Sequence, residues 1–227
     1  MTSPERNRWR TDGWLPAFFI IGPYFLNKFV YIAVPDYRAF LATDYAVRLF
    51  SLTLLYLLLK GREISLPIPW RLSMPSAKDL MLAFVGTLLL IAFNLIGRSW
   101  IEFLNAQSWR LSNFPSPPNG FLKLFDDTIG MVLVGLSEEA VFRFYLMNLL
   151  LMRGASRALA IGLSSLVFGA IHWSYGAGAM AFAAFAGLVL AIVYLASRNL
   201  VAPVIAHAAY DAAYFSGGLA LLSRTFS

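Results

Sequence analysis

The chain has 227 residues, 59% of them hydrophobic and only 13% charged, with a net charge of +6 and no cysteine; its mean hydropathy is +0.67. A soluble domain carries about 25% charged residues, so this chain cannot cover itself with polar surface and reads as a polytopic membrane protein. The positive balance does not point to nucleic acid, because the basic residues sit in short loops between apolar segments, and the lack of cysteine excludes disulfides, a thiolate nucleophile and Cys-ligated zinc.

A membrane helix needs about 20 mainly apolar residues. In chain order the candidates are Trp14–Val34, Tyr45–Leu59, Leu80–Gly97, Phe125–Met152, Ala158–Trp173, Gly178–Ser197 and Val201–Leu222. The expected fold is all-α, a membrane helix bundle of about seven to eight transmembrane helices. Arg6, Arg8 and Arg10 precede the first apolar run, which is too long for a signal peptide, lacks a small-residue cleavage site and is read as a retained span. The segment Arg62–Lys78 is rich in proline and is expected to be irregular or interfacial. Ser99–Lys123 is rich in aromatics and proline, and reads as an amphipathic lip over the bundle or as a plain loop. In the sixth candidate, Ala183, Gly187 and Ala191 leave one helix face nearly bare, which suits close packing. Basic residues number ten on one side of these spans and five on the other, which places the N-terminus in the cytoplasm. The chain is expected to form one membrane domain, with N-terminal helices and connections over 1–124 and a chemistry-bearing helical core over 125–222.

Two glutamates interrupt the fourth apolar stretch, Glu138 and Glu139, with Arg143 one turn on. A charged side chain near the bilayer centre costs roughly 2.5–3.5 kcal/mol, so three together call for a reason. Glu139 and Arg143 are spaced to pair along one face, and that pair reads equally as a structural tie. Glu138 points about 100° away and is expected to be free to face a cavity, where a carboxylate can serve as general base. The fifth stretch ends at His172. The seventh carries His207 and Asp211, four apart and so on one face, with Tyr210 and Tyr214 as neighbours. Both histidines of the chain thus lie with these acids in late apolar helices, a pattern that marks a wet site or a proton path. On straight helices His172 lies nearer the outer face than His207, so tilts or a kink at Pro203 are needed to align them.

Two mechanisms fit these residues. In one, Glu138 with His172 activates a water while His207 and Asp211 stabilise the oxyanion formed on a carbonyl. In the other, Glu138, His172, His207 and Asp211 supply ligands to a divalent metal such as zinc that acidifies the water. A proton-coupled transporter would use the same buried charges, but the internal repeats common in that class are not seen. A catalytically dead scaffold is the third reading.

The ordered set EExxxR (Glu138, Glu139, Arg143), FxxxH (Phe168, His172) and HxxxD (His207, Asp211) resembles the CPBP intramembrane proteases, also called the CAAX-protease, bacteriocin-processing or Abi family, which includes the type II prenyl-protein endopeptidases. The resemblance covers about Phe125 to Leu222; the first three candidate spans carry no usable motif. It implies an all-helical fold with a conical intramembrane cavity, and an endopeptidase cutting near the C-terminus of a membrane-associated protein or peptide. By position, Glu138 is similar to the catalytic base, aided by His172; His207 and Asp211 match the residues that hold the oxyanion; Glu139 and Arg143 look like supporting members. It implies a glutamate-activated water without a cofactor, a peptide or C-terminally tagged substrate, lipidated or not, and a multi-pass protein of the bacterial cytoplasmic membrane. The prenyl endopeptidases have Asn where this chain has Asp211. An ionised Asp211 would repel an oxyanion, so it must be protonated, orient His207 or bind a metal.

Overall fold

The computed structural model describes residues 14–34, 36–60, 66–68, 71–115 and 120–225, so Arg6, Arg8, Arg10 and Arg62 lie outside the described residues. Every regular element among them is helical and none is a strand. In chain order they are α1 (Trp14–Ala33), α2 (Tyr37–Leu59), α3 (Ala77–Ile96), α4 (Arg98–Ala106), the run α5 over 121–152, α6 (Arg157–Ala170), α7 (Ala177–Ser197), α8 (Val201–Phe215) and α9 (Gly218–Thr225), with a single 3₁₀ turn at Trp173–Tyr175. Within α5, α-helical Met131–Glu138 passes into π-helical turns over Glu139–Leu146.

Among the described residues, four helices are long and apolar enough to cross a membrane: α1, α2, α3 and α7, at 20, 23, 20 and 21 residues. The expected seven to eight spans are not reached on that basis, for a physical reason. α6 has 14 residues and α8 has 15, short of the ~20 that a bilayer core requires. The apolar windows of the four long helices are only 22–44% buried. Their outward faces carry Phe18, Phe29, Leu49, Phe84, Leu88 and Ile192, an apolar belt that water would not tolerate and lipid would.

Local signals set the helix starts. Asp36 accepts the Ala39 N–H at 2.9 Å and begins α2 eight residues before the expected Tyr45, so that Asp44 joins Arg48 inside the helix. Ser76 and Asp79 form a reciprocal capping box at the start of α3, and Ser156 caps α6; such caps satisfy backbone N–H groups that the helix itself leaves open. The segment before α3 is irregular where it is described. Its Ile68 is clamped by Asn148, which accepts the Ile68 N–H at 2.8 Å and donates to its carbonyl at 3.0 Å. α4 has no buried residue and fits the expected lip better than a loop.

α5 packs against α2, α6 and α8, and α7 packs against α3, α4 and α6. Small residues permit these approaches. A Cβ added at Gly187 of α7 would meet the Ser165 Cα at 2.9 Å, so the bare face of this helix serves packing against α6. A Cβ at Gly135 of α5 would stand 3.1 Å from the Val204 carbonyl oxygen of α8. This close crossing of α5 and α8 brings the late histidine to the glutamates.

Candidate active site

Glu138, Glu139 and Arg143 sit at the centre of the bundle, at 4%, 0% and 0% exposure. They lie where α5 widens from α to π turns, a distortion that is rare and recurs at functional sites. Adjacent residues on a helix point about 100° apart, yet both glutamates reach the same imidazole. His207 Nδ1 lies 2.8 Å from Glu139 Oε1, while His207 Nε2 lies 3.7 Å from Glu138 Oε2 and 3.4 Å from Asp211 Oδ2. An ionised Glu139 only accepts, so Nδ1–H donates in that bond. The other Glu139 oxygen is 3.0 Å from Arg143 Nε, and the Arg143 guanidinium lies 4.2 Å over the Phe168 ring.

His172 approaches from the end of α6. Its Nδ1 is 2.9 Å from the Phe168 carbonyl oxygen. A carbonyl cannot donate, so in the neutral ring Nδ1 carries the proton and Nε2 is left with its lone pair. Phe168 stands edge-on to both imidazoles, with centroids 5.3 Å from His172 and 5.8 Å from His207. Glu138, His172, His207 and Asp211 line one cavity of about 420 Å³. The structure therefore brings together all four residues singled out in the sequence. Tyr210 and Tyr214 line the same space, and the Tyr210 hydroxyl accepts from Asn94 at 3.0 Å.

The depth mismatch between His172 and His207 is resolved without a kink at Pro203. That proline is the third residue of α8, where a missing N–H costs little. Instead α8 starts from within the protein. Leu200 is fully buried and its N–H donates to the Arg71 carbonyl at 2.9 Å. Asn199, also buried, donates to the Ser73 carbonyl and to Asp79. Starting α8 on this platform carries His207 to the level of Glu139.

One expectation needs correction. Glu138 faces the cavity but is not free: its Oε1 is 2.7 Å from Arg48 Nη1, which also donates to Ser137 Oγ at 3.1 Å. Arg48 is in turn gripped at both ends by Asp44, at 2.6 and 3.0 Å, and Asp44 accepts from the Tyr31 hydroxyl at 2.8 Å. The early helices are therefore not passive. Lys28, Tyr31, Asp44 and Arg48 of α1 and α2 line the cavity beside the late motifs. The guanidinium offsets one of the two buried negative charges and donates hydrogen bonds to both carboxylates, which is why Glu138 takes a partner. The signal was in the sequence: Asp44 and Arg48 are an i, i+4 pair inside an apolar run, and Lys28 is a cation within the first.

Among the described residues, no group of three His, Cys, Asp or Glu side chains is arranged to hold a metal ion. Glu138 Oε1 is turned to Arg48 and His207 Nδ1 to Glu139, so the alternative donor set loses ligand atoms to protein partners.

Residues 121–213 match the family model described as Type II CAAX prenyl endopeptidase Rce1-like. Comparison with curated proteins finds no match, and neither does comparison with solved structures. The match spans the helices that carry both glutamates and both histidines, and with the apolar belt it supports an integral membrane protein and a protease. Residues 121–213, less than half of the chain, are thus similar to the Rce1-like type II CAAX prenyl endopeptidases, in keeping with the CPBP proteases that the motifs resemble.

Proposed function

We propose that this protein is an intramembrane endopeptidase that hydrolyses a peptide bond near the C-terminus of a membrane-associated protein or peptide, in a bacterial cytoplasmic membrane. The observation that carries the reading is the meeting of Glu138, His172, His207 and Asp211 on one cavity deep in the bundle. In this mechanism a water sits between Glu138 Oε2 and the His172 Nε2 lone pair. Glu138 takes a proton from it as its oxygen attacks the scissile carbonyl. The carbonyl oxygen becomes an oxyanion and accepts from Nε2–H of a doubly protonated His207, whose Nδ1–H remains on Glu139. The proton held by Glu138 then passes to the leaving amine, so the sum is one water consumed and one peptide bond opened.

Asp211 acts by orienting His207. Its Oδ2 stands 3.4 Å from Nε2, so it holds the ring in place until the forming oxyanion takes over the Nε2–H as acceptor. Arg48 holds Glu138 Oε1 and leaves Oε2 to the water. Glu139 and Arg143 support His207 from behind. The substrate class this favours is a CAAX-type or otherwise C-terminally tagged chain delivered from the bilayer. The test is mass spectrometry of membrane-protein C-termini after incubation with purified protein in liposomes. Wild type yields shortened C-termini, and Glu138→Gln, correctly inserted, yields none. Equal processing by that variant rejects the proposal.

A further inference from the structure

Lys28 has no role in the chemistry above, yet it is 6% exposed and lines the cavity. It lies within the first apolar helix, and its side chain turns inward instead of reaching along the surface toward the headgroups, as lysines in spans usually do. Among the described residues no carboxylate pairs with it. Its ammonium faces two aromatic rings, Tyr31 at 4.8 Å and Tyr175 at 5.2 Å. Two ring faces replace only part of the hydration that burial removes from a cation. Asp44 is already committed, with Oδ1 accepting from Tyr31 and Arg48 and Oδ2 from Arg48. The other carboxylates of the cavity are also engaged: Glu138 by Arg48, Asp211 by His207, Asp126 by the hydroxyls of Tyr37 and Tyr45, and Asp127 by Lys123. The Tyr175 ring that faces Lys28 carries a buried hydroxyl with no hydrogen-bond partner among the described residues.

We infer that Lys28 and Tyr175 form an anion subsite that receives the free C-terminal carboxylate of the substrate. An ammonium and a phenolic O–H, both lining the cavity and neither with a hydrogen-bond partner among the described residues, are the donors a carboxylate takes. The arrangement matches a singly charged group better than a phosphate, because Arg48, the other cation buried at this end of the cavity, is spent on Asp44 and Glu138. The subsite gives the protein a ruler: with the chain end held at Lys28, the bond presented to Glu138 is set by the distance between the two. Lys28 thus determines position and specificity and does not touch the reacting atoms. This inference rests on the endopeptidase reading and adds to it the recognition of a free chain end. Lys28 is also outside the stretch that matches the family, residues 121–213.

The test compares one peptide in two forms. The probe ends in a farnesylated cysteine followed by three residues, made as the free acid and as the C-terminal carboxamide. Binding is measured with Glu138→Gln protein in detergent, and cleavage with wild type. The acid is expected to bind about tenfold or more tightly than the amide, as for a charge-assisted hydrogen bond, with the same preference in kcat/KM. Lys28→Met in the same background brings the ratio to about one, and Lys28→Arg retains most of it. Equal or undetectable binding of the two forms, or a preference that survives in Lys28→Met, overturns the inference. The two layers fail separately. Cleavage that persists in Glu138→Gln refutes the role of Glu138 without altering the acid-to-amide ratio. A ratio of one in protein that still cleaves refutes the role of Lys28 alone.

Discussion

Arg48→Gln removes the guanidinium that joins Asp44 of α2 to Glu138 of α5. Both carboxylates are deeply buried, with side chains 7% and 5% exposed. Four contacts at 2.6 to 3.1 Å disappear with the charge. Breaking a buried ion pair from one side costs about 3–5 kcal/mol, since the remaining charge is stranded. Here two charges are stranded, so a loss of stability at the upper end of that range is expected. Glu138 also loses its anchor. A displacement of about 1 Å at a catalytic group costs about 100-fold in rate, or about 2.7 kcal/mol. Denaturation in detergent and initial cleavage rates in liposomes should therefore both report a loss. A second substitution separates them. Asp44→Asn placed on Arg48→Gln removes one stranded charge, so the pair of substitutions recovers part of the stability but leaves the rate about 100-fold down. Wild-type activity in Arg48→Gln, or a rate restored together with stability, would refute the idea that Arg48 positions the base.

Two further predictions follow from the geometry around His207. Asp211→Asn keeps a side-chain oxygen facing Nε2 and is expected to retain activity within about tenfold, whereas Asp211→Leu removes the orienting bond and is expected to lose about 100-fold; equal activity in the two variants would show that Asp211 does not orient the ring. A Cβ at Gly135 would stand 3.6 Å from His207 Cβ, inside the ~3.5–4.5 Å range of a disulfide. In this cysteine-free chain, Gly135→Cys with His207→Cys should therefore cross-link on mild oxidation, seen as a bridged peptide after digestion, and its absence would contradict the close crossing of α5 and α8.

The late half of the site was legible because its motifs are local. Glu139 with Arg143 and His207 with Asp211 are i, i+4 pairs, and charge inside an apolar run is conspicuous. The crossing of two helices at small residues was also legible in kind, from Ala183, Gly187 and Ala191. Three things were hidden, two of them by distance in sequence. Arg48 reaches Ser137 and Glu138 from about ninety positions away, and nothing local to Glu138 announces it. The start of α2 depended on Asp36 as a cap, whereas apolarity alone moved it to Tyr45 and cut Asp44 out of the helix. The level of α8 is set by Asn199 and Leu200 against Arg71, Ser73 and Asp79, a contact between segments that no periodicity reveals. The count of seven to eight spans is not confirmed: four described helices are long and apolar enough to cross a membrane, while α6 and α8 are apolar but shorter.

The central claim is that Glu138 and His207 act on one water and one carbonyl as a single unit. It is tested most directly by the cleavage rates of Glu138→Gln, His207→Ala and the double variant in liposomes, against wild type. Each single substitution is predicted to cost about 10³-fold, and the double variant to be no slower than the worse single one, since a unit broken once cannot be broken again. Losses that multiply in the double variant, or a Glu138→Gln protein that still cleaves, would contradict the account.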